Sequence, residues 1–372
     1  MGRTLKVVIL TPEDPNDETP NLRALREAKA LEEAGHNYWL VWVEAHHPPL
    51  GRSLARARSF WRMSKELARR TIAYDPDIII AHDVYTLLGG MMATTRLKIP
   101  LLYDSHESWP ELIGENSRIE RFMATRLERW APIDHVFAPC EPVAKRFSKR
   151  GIPTTVLHNA RSSQDINLTP GLGAAFRAKA GFTDDDFVVG YIGSMQQLKK
   201  GNMTDVLINT LKKMPAYVKA IIIGGPDDDA AELNTRMLRE GLYSQVSVEG
   251  QRNFSELAGA YQAIDLGLIL LDERPNYKIS LPNKLFDYMA FGIPVLAPPY
   301  PEIEKVIWDS GAGWIMTHPR VFSGLLYILA THNHMLHKTF GDNGRRAFLE
   351  RYAWEHQAKK VVTVCESFIS KT

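Results

Sequence analysis

Short apolar runs alternate with longer stretches of helical periodicity from the start of the chain: residues 7–10, then 22–34 closed by Gly35, then 38–43. Strand, helix, strand is the opening of a parallel sheet. The alternation continues through strand 78–81, helix 87–96, strand 101–103, helix 118–130 and strand 135–138. These runs are β-branched and aromatic without polar alternation, which predicts strands covered on both faces. Residues 161–173 then gather Ser, Asn, Pro and Gly with little periodicity, the composition of a domain boundary. Beyond it the pattern restarts, with strands at 187–192, 219–223, 246–248 and 266–271 and helices at 204–213, 230–240 and 254–263. The chain is therefore expected to be α/β, with two Rossmann-like doubly wound domains at residues 1–165 and 166–351. A last helical stretch, 343–369, is long enough to leave the second domain and lie across the first, so that residues 352–372 complete it.

Composition narrows this picture only modestly. At 372 residues with 45% apolar and 24% charged side chains, the chain can bury two full cores. A formal net charge of +2 singles out no partner. Cys140 and Cys365 are too few for a zinc cluster or a disulfide framework, which fits a reducing cytoplasm. The apolar run at 7–10 reads as a first strand and not as a signal peptide. No segment approaches the roughly 20 apolar residues of a membrane span, so any membrane contact is expected to be peripheral, at the inner face.

One segment departs from this even charge balance. Residues 51–74 carry Arg52, Arg56, Arg58, Arg62, Lys65, Arg69 and Arg70 against the single acid Glu66, with Leu54, Phe60, Trp61, Met63 and Leu67 interleaved. A basic, aromatic-bearing helix is the pattern of a surface that touches anionic lipid. The alternative is an amphipathic helix packed on the sheet with a solvated basic face. No nucleic-acid module accompanies the charge, and nucleic acid is not expected as a partner.

Candidate chemistry concentrates at residues 280–295. Ser280 is a candidate N-cap, Pro282 suits a first helical turn, and Gly292 with Pro294 ends the helix before the apolar run Val295, Leu296, Ala297. Free N–H groups and the positive end of the helix dipole at such a start suit a phosphate or diphosphate, with Lys284 and Asp287 on the next turn. A second glycine turn, Gly193-Ser194-Met195, follows a predicted strand and leads through Lys199, Lys200 and Gly201 to a helix. Ligands of open α/β sheets bind at such strand ends. Taken alone, the turn reads more simply as a tight bend with two solvated lysines.

The order and spacing of Gly193-Ser194, the loop lysines and Asn283-Lys284-Leu285-Phe286-Asp287-Tyr288-Met289-Ala290 resemble glycosyltransferase family 4, with Arg351-Tyr352-Ala353-Trp354-Glu355 similar to the family's final crossover helix. The resemblance implies a GT-B fold, two Rossmann-like domains facing across a cleft, and retaining transfer of a sugar from a nucleotide-diphosphate sugar to a hydroxyl acceptor. It implies a donor site of Gly193, Ser194, Lys199, Lys200, Arg252, Ser280, Leu281, Asn283, Lys284 and Asp287. Family members carry two acids around the donor. Asp287 takes the second position, whereas Ile279 stands at the first, so Ser280, Asn283 and the backbone at 281–284 are the expected substitutes. Met195 stands where the family tends to place a basic residue, which leaves Lys199, Lys200 and Lys284 to share the leaving-group charge. A cationic clamp of this kind needs no metal, and neither metal nor other cofactor is expected.

On the acceptor side, the strand at 101–103 runs into Asp104, Ser105, His106 and Glu107. By the resemblance, His106 lies between donor and acceptor and orients them, the leaving phosphate helping to deprotonate the acceptor in a front-face attack. His82 and Asp83 end the preceding strand and are expected in the same place or in a hydrogen-bonded turn. Residues 11–20 are acidic where many relatives are glycine-rich, so Asn21, Arg23 or an acceptor hydroxyl is expected to meet that loop. Glycan and glycolipid precursors are the implied acceptors. Two other functions remain open, a GT-B nucleotide-sugar epimerase and a non-catalytic sugar-nucleotide binder, the latter favoured by Ile279. A hydride-transferring Rossmann enzyme is disfavoured because no Gly-x-Gly-x-x-Gly follows the first strand.

Overall fold

The computed structural model describes residues 3–14, 22–43, 54–109, 112, 118–199, 202–331 and 334–369. The chain divides into two compact units, residues 1–159 with 355–372, and residues 160–354.

In the first unit six parallel strands, β1 (Lys6–Leu10), β2 (Asn37–Val41), β3 (Ile78–His82), β4 (Leu101–Asp104), β5 (His135–Ala138) and β6 (Thr154–Val156), lie in the order β2-β1-β3-β4-β5-β6. They alternate with helices α1 (Leu22–Glu33), α2 (Leu54–Ala73), α3 (Asp83–Leu97), α4 (Arg118–Trp130) and α5 (Glu141–Ser148). Residues of β1, β3 and β4 are almost entirely buried, as runs without polar alternation require. The order reverses direction between β1 and β3, which makes the carboxyl ends of those strands the place for polar chemistry.

The second unit repeats the plan with β7 (Phe187–Ile192), β8 (Val218–Ile223), β9 (Val246–Glu249), β10 (Leu266–Leu268), β11 (Val295–Ala297) and β12 (Gly313–Ile315), in the order β12-β11-β10-β7-β8-β9. Its helices are α6 (Leu172–Lys179), α7 (Met195–Lys199), α8 (Met203–Leu211), α9 (Asp227–Arg239), α10 (Ala258–Gln262), α11 (Pro275–Ile279), α12 (Asn283–Phe291), α13 (Pro301–Ser310), α14 (Phe322–Thr331) and α15 (His334–Ala347). Gly190 and Gly267 lie inside strands because a side chain there would run into Ile264 and the Tyr288 ring.

The expected long final helix is interrupted. After α15 the chain makes a π-helical turn at Phe348–Tyr352, and Ala353 turns extended (φ −49°, ψ 146°) before α16 (Trp354–Glu366). Phe348, Tyr352 and Ala353 are buried in the core of the second unit, and Trp354 N donates to Arg161 O at 2.9 Å. Val361 and Cys365 of α16 are instead buried with Leu5, Val7, Ala28 and Leu31 of the first unit. The break falls where the chain exchanges one core for the other, with no Gly or Pro to announce it. The basic stretch forms α2 from Leu54 onward, and Arg52 lies outside the described residues.

Candidate active site

Two polar centres occupy the carboxyl edges of the two sheets. In the second unit, β7 ends at Ile192 and the chain turns at Gly193 with φ +155°, a region that L side chains rarely adopt. A side chain at Gly193 would collide with the Lys284 ammonium. Lys284 rises from the first turn of α12, is buried, lies 3.9 Å from the centre of the Tyr191 ring and donates to Gln197 Oε1 at 3.3 Å. Burial, only partly offset by Asp287, brings its ammonium down to about 7. The neighbouring strand end comes equally close, since a side chain at Gly224 would meet Gly193 O, and Gly193 N donates to Ile223 O at 2.9 Å.

Tyr288 fixes α12 against this turn. Its hydroxyl accepts from Ile192 N at 3.1 Å and donates to Gly190 O at 2.9 Å, tying the helix to the last residues of β7. The helix ends as its sequence predicts, with Gly292 left-handed at φ 72° and Ile293 N donating to Tyr288 O. Its start differs. Ser280 ends α11, Pro282 is the N-cap of α12, and no side chain of that residue caps the helix. Asn283 is exposed at the first position, and Leu281 is packed against the core. The amides that open α12 are thus presented beside Lys284 and not consumed by a serine.

Three expected donor residues have other engagements. Asp287 is buried, accepts from Arg161 Nε at 3.0 Å and from the Tyr261 hydroxyl at 3.3 Å, while the Arg161 guanidinium covers the Phe254 ring. It anchors the segment that leaves the first unit to the body of α12. Lys199 donates to Asp229 Oδ1 and Glu232 Oε2 of α9, both at 2.6 Å, and is drawn away from Gly193. Arg252 approaches Glu249 at 3.5 Å and donates to Gln251 O at 3.2 Å. Ser194 is exposed at the turn, and its carbonyl accepts from the Tyr191 hydroxyl at 2.9 Å. Lys200 lies outside the described residues.

The first unit holds a denser cluster. His82 and Asp104 are paired residues at the ends of β3 and β4, and Arg23 and Glu27 reach them from α1. Arg23 donates to Asp104 Oδ1 at 2.5 Å and to Leu157 O at 3.1 Å, and lies 3.5 Å from Glu27. His82 Nδ1 is 2.9 Å from His106 Nε2, and His82 Nε2 is 3.0 Å from Glu27 Oε2. His106 Nε2 is also 3.0 Å from Asp104 Oδ2. Asp83 adopts φ +61° and accepts at Oδ1 from His106 N at 3.0 Å and Trp109 Nε1 at 2.7 Å, its other oxygen 3.5 Å from His106 Nδ1. Glu107 closes the turn after β4 through its carbonyl, which accepts from Ser105 Oγ at 2.8 Å. Asn21 lies outside the described residues.

Burial dominates the electrostatics of this cluster. It pushes His82 down to about 3, and with Asp104 beside it holds Glu27 well above the ordinary carboxyl range. Burial opposes charge on Asp104 and His106 as well, yet Arg23 and His106 hold Asp104 below its ordinary range. Asp83 and Asp104 likewise raise His106 to about 9. His106 remains 19% exposed, whereas the side chains of His82, Asp104 and Glu27 are fully buried. Glu27 escaped the sequence reading because a Glu on an amphipathic helix is indistinguishable from a solvated one until its burial is known. Tyr288 and Arg161 carried no local signal either.

With this geometry in view, residues 2–162 match the family described as Glycosyltransferase Family 4, and residues 186–325 match the one described as Glycosyl transferases group 1. The chain is built of glycosyltransferase domains, Family 4 in the first unit and group 1 in the second. A D-inositol 3-phosphate glycosyltransferase of Mycobacteroides abscessus is 24% identical over 258 residues, 64% of this chain and 55% of the relative, so this chain spans about half the length of that protein. Among solved structures, Anabaena Alr3699/HepE in complex with UDP-glucose superposes with TM-score 0.74 at 17% identity, covering 98% of this chain and all of that one. Sucrose-phosphate synthase from Thermosynechococcus elongatus gives TM-score 0.75 at 16% identity, with both chains fully covered. These neighbours establish the GT-B fold of this chain.

Proposed function

We propose that this chain is a retaining glycosyltransferase that takes a nucleotide-diphosphate sugar and transfers the sugar to a hydroxyl acceptor. The observation that carries the reading is the buried Lys284 ammonium, set against the glycine turn at Gly193 and beside the uncapped start of α12. A diphosphate meets there a cation, backbone N–H groups and a helix dipole, without side chains in the way. Such a clamp stabilises leaving-group charge without a metal at the diphosphate. Lys284 carries this role in preference to Lys199, whose ammonium is held by two carboxylates. Asp287 reaches a ribose only by sharing its oxygens with Arg161 and Tyr261. His106 is the partly exposed member of its cluster and orients the reacting hydroxyl or sugar, in line with front-face transfer.

The UDP-glucose bound to HepE makes a uridine nucleotide the first probe. Calorimetric titration with UDP is expected to show binding in the unaltered chain and at least a tenfold loss in Lys284→Met. If neither UDP nor any other nucleoside diphosphate binds, the transferase reading fails.

The same proposal places the chain at an anionic membrane surface, where a lipid-linked glycan precursor is the acceptor. No helix among the described residues is long and apolar enough to cross a membrane. On α2, Trp61 is half exposed beside exposed Arg58, Arg62 and Lys65, while Arg69 and Arg70 are paired with Glu66. The second helix packed on α3, α4, extends the feature with exposed Ile119, Phe122 and Trp130 among Arg118, Arg121, Arg126 and Arg129. Aromatic side chains standing out between guanidinium groups suit the interface of an anionic bilayer.

A further inference from the structure

Donor and acceptor chemistry fixes where each proton of the first unit's cluster lies. Arg23 can only donate, so Asp104 Oδ1, 2.5 Å from it, is the acceptor of an ionised carboxylate. Asp104 Oδ2, equally an acceptor, stands 3.0 Å from His106 Nε2, which must therefore carry a hydrogen. His82 Nδ1 lies 2.9 Å from the same nitrogen and meets that hydrogen with a lone pair. The hydrogen of His82 is left on Nε2, and Glu27 Oε2 accepts it at 3.0 Å. We propose that Glu27 and His82 are positioning residues that hold His106 as an imidazolium, so that it donates a hydrogen bond to substrate from Nδ1 and takes no proton from the acceptor hydroxyl.

The charged and titratable groups facing His106 are Asp83 of α3, Asp104 of β4, His82 of β3, and Arg23 and Glu27 of α1. Burial opposes charge on His106 and Arg23 does so as well, but Asp83 and Asp104 outweigh both. His82, neutral down to about pH 3, adds no competing cation. Glu27 is fully buried, and burial with Asp104 beside it keeps its carboxyl uncharged, hydrogen-bonded to Asp104. It therefore acts on His106 through the tautomer it imposes on His82 and not through charge. Without Glu27, the hydrogen of His82 is free to move to Nδ1, where it confronts the hydrogen on His106 Nε2 and drives His106 toward its neutral form. Asp83 Oδ2 stands off at 3.5 Å from His106 Nδ1, longer than an ordinary N–H···O bond, so a substrate oxygen can accept the hydrogen there. The use of that donor rests on the transferase reading, whereas the proton pattern does not.

Two-bond 1H–15N correlation spectra of the unliganded full-length chain read these protons directly, with the two rings assigned through His82→Gln and His106→Gln. At pH 7 His106 is expected to show both nitrogens protonated, and His82 a neutral ring with its hydrogen on Nε2. Glu27→Leu is expected to lower the midpoint of the His106 titration from about 9 by at least about one pH unit. Glu27→Gln still accepts from His82 and donates to Asp104, and is expected to leave that midpoint in place. A role confined to packing would not separate the two variants in this way. Should Glu27→Leu not fold, as judged by circular dichroism, the spectrum of the unaltered chain and the Glu27→Gln titration decide. A neutral His106 at pH 7, a His82 hydrogen on Nδ1, or an unmoved His106 midpoint in folded Glu27→Leu overturns the proposal. Absence of UDP binding would instead remove the transferase reading and leave these proton positions as they are.

Discussion

For Lys284 a cost in stability stands against the gain in binding proposed for it. Its ammonium titrates near 7 when folded and near 10.5 when unfolded, so the unfolded chain holds the extra proton between those values. This part of the stability is complete above about pH 10.5 and is lost as pH falls toward 7. Lys284→Met keeps an apolar chain of similar length and removes the buried charge. It is expected to raise the melting temperature of the free protein at pH 6, and by more than at pH 9, while weakening UDP binding at least tenfold. Calorimetric melts at the two pH values check this, and a lower melting temperature at pH 6 contradicts it. Asp287 tests the opposite balance. As the partner of Arg161 and Tyr261 it stabilises the second unit, and Asp287→Ala is expected to cost about 1–3 kcal/mol in denaturant unfolding. A variant with unchanged stability but weakened UDP binding would instead make it chiefly a ribose ligand. The structural role was not legible locally, because Arg161 and Asp287 lie 126 residues apart along the chain. Lys199 escaped for the same reason, its partners being 30 and 33 residues away.

At the scale of elements, hydrophobic periodicity gave strands and helices close to their observed limits, because parallel strands covered on both faces leave uninterrupted apolar runs. The end of α12 was equally readable, since Gly292 and Pro294 impose their backbone geometry wherever they occur. Its beginning was not. Ser280 has the chemistry of an N-cap, but the short helix α11 uses that residue as its terminus and passes the capping position to Pro282. The basic character of α2 was plain in composition, whereas the exposed aromatic face of α4 depends on which of its apolar residues packing leaves outside. Phe122 and Trp130 are exposed while Ala124 is buried, and only the packing against α3 decides that division. Phe122→Asp with Trp130→Asp is therefore expected to reduce sedimentation with vesicles containing phosphatidylserine several-fold and to leave the melting temperature within a few degrees. Equal sedimentation of the variant and the unaltered chain would count against this face.

For the whole molecule, repetition of the strand–helix pattern announced two doubly wound units, and the division between compact units falls after Asn159 and after Trp354, where the sequence pattern put it after residues 165 and 351. Along the last stretch a continuous helical pattern conceals the change of core at Ala353. That change makes α16 part of the first unit, with Val361 and Cys365 completing the packing around Leu31 and Val7. Removing residues 355–372 is accordingly expected to destabilise the first unit while the second retains a cooperative transition. Limited proteolysis with mass spectrometry checks it, cleavage being expected to concentrate within residues 1–159. Equal resistance of both units would show that α16 is dispensable to the core it enters.

The late return of the chain at α16 also sets an order of events during synthesis. Translation at ~5–20 residues per second takes roughly 10–40 s to pass through residues 160–354. Throughout that interval the apolar surface around Ala24, Ala28 and Leu31 emerges without the helix that covers it. The unit translated first is thus finished last, and its exposed seam is the natural point of attachment for a chaperone acting on the nascent chain.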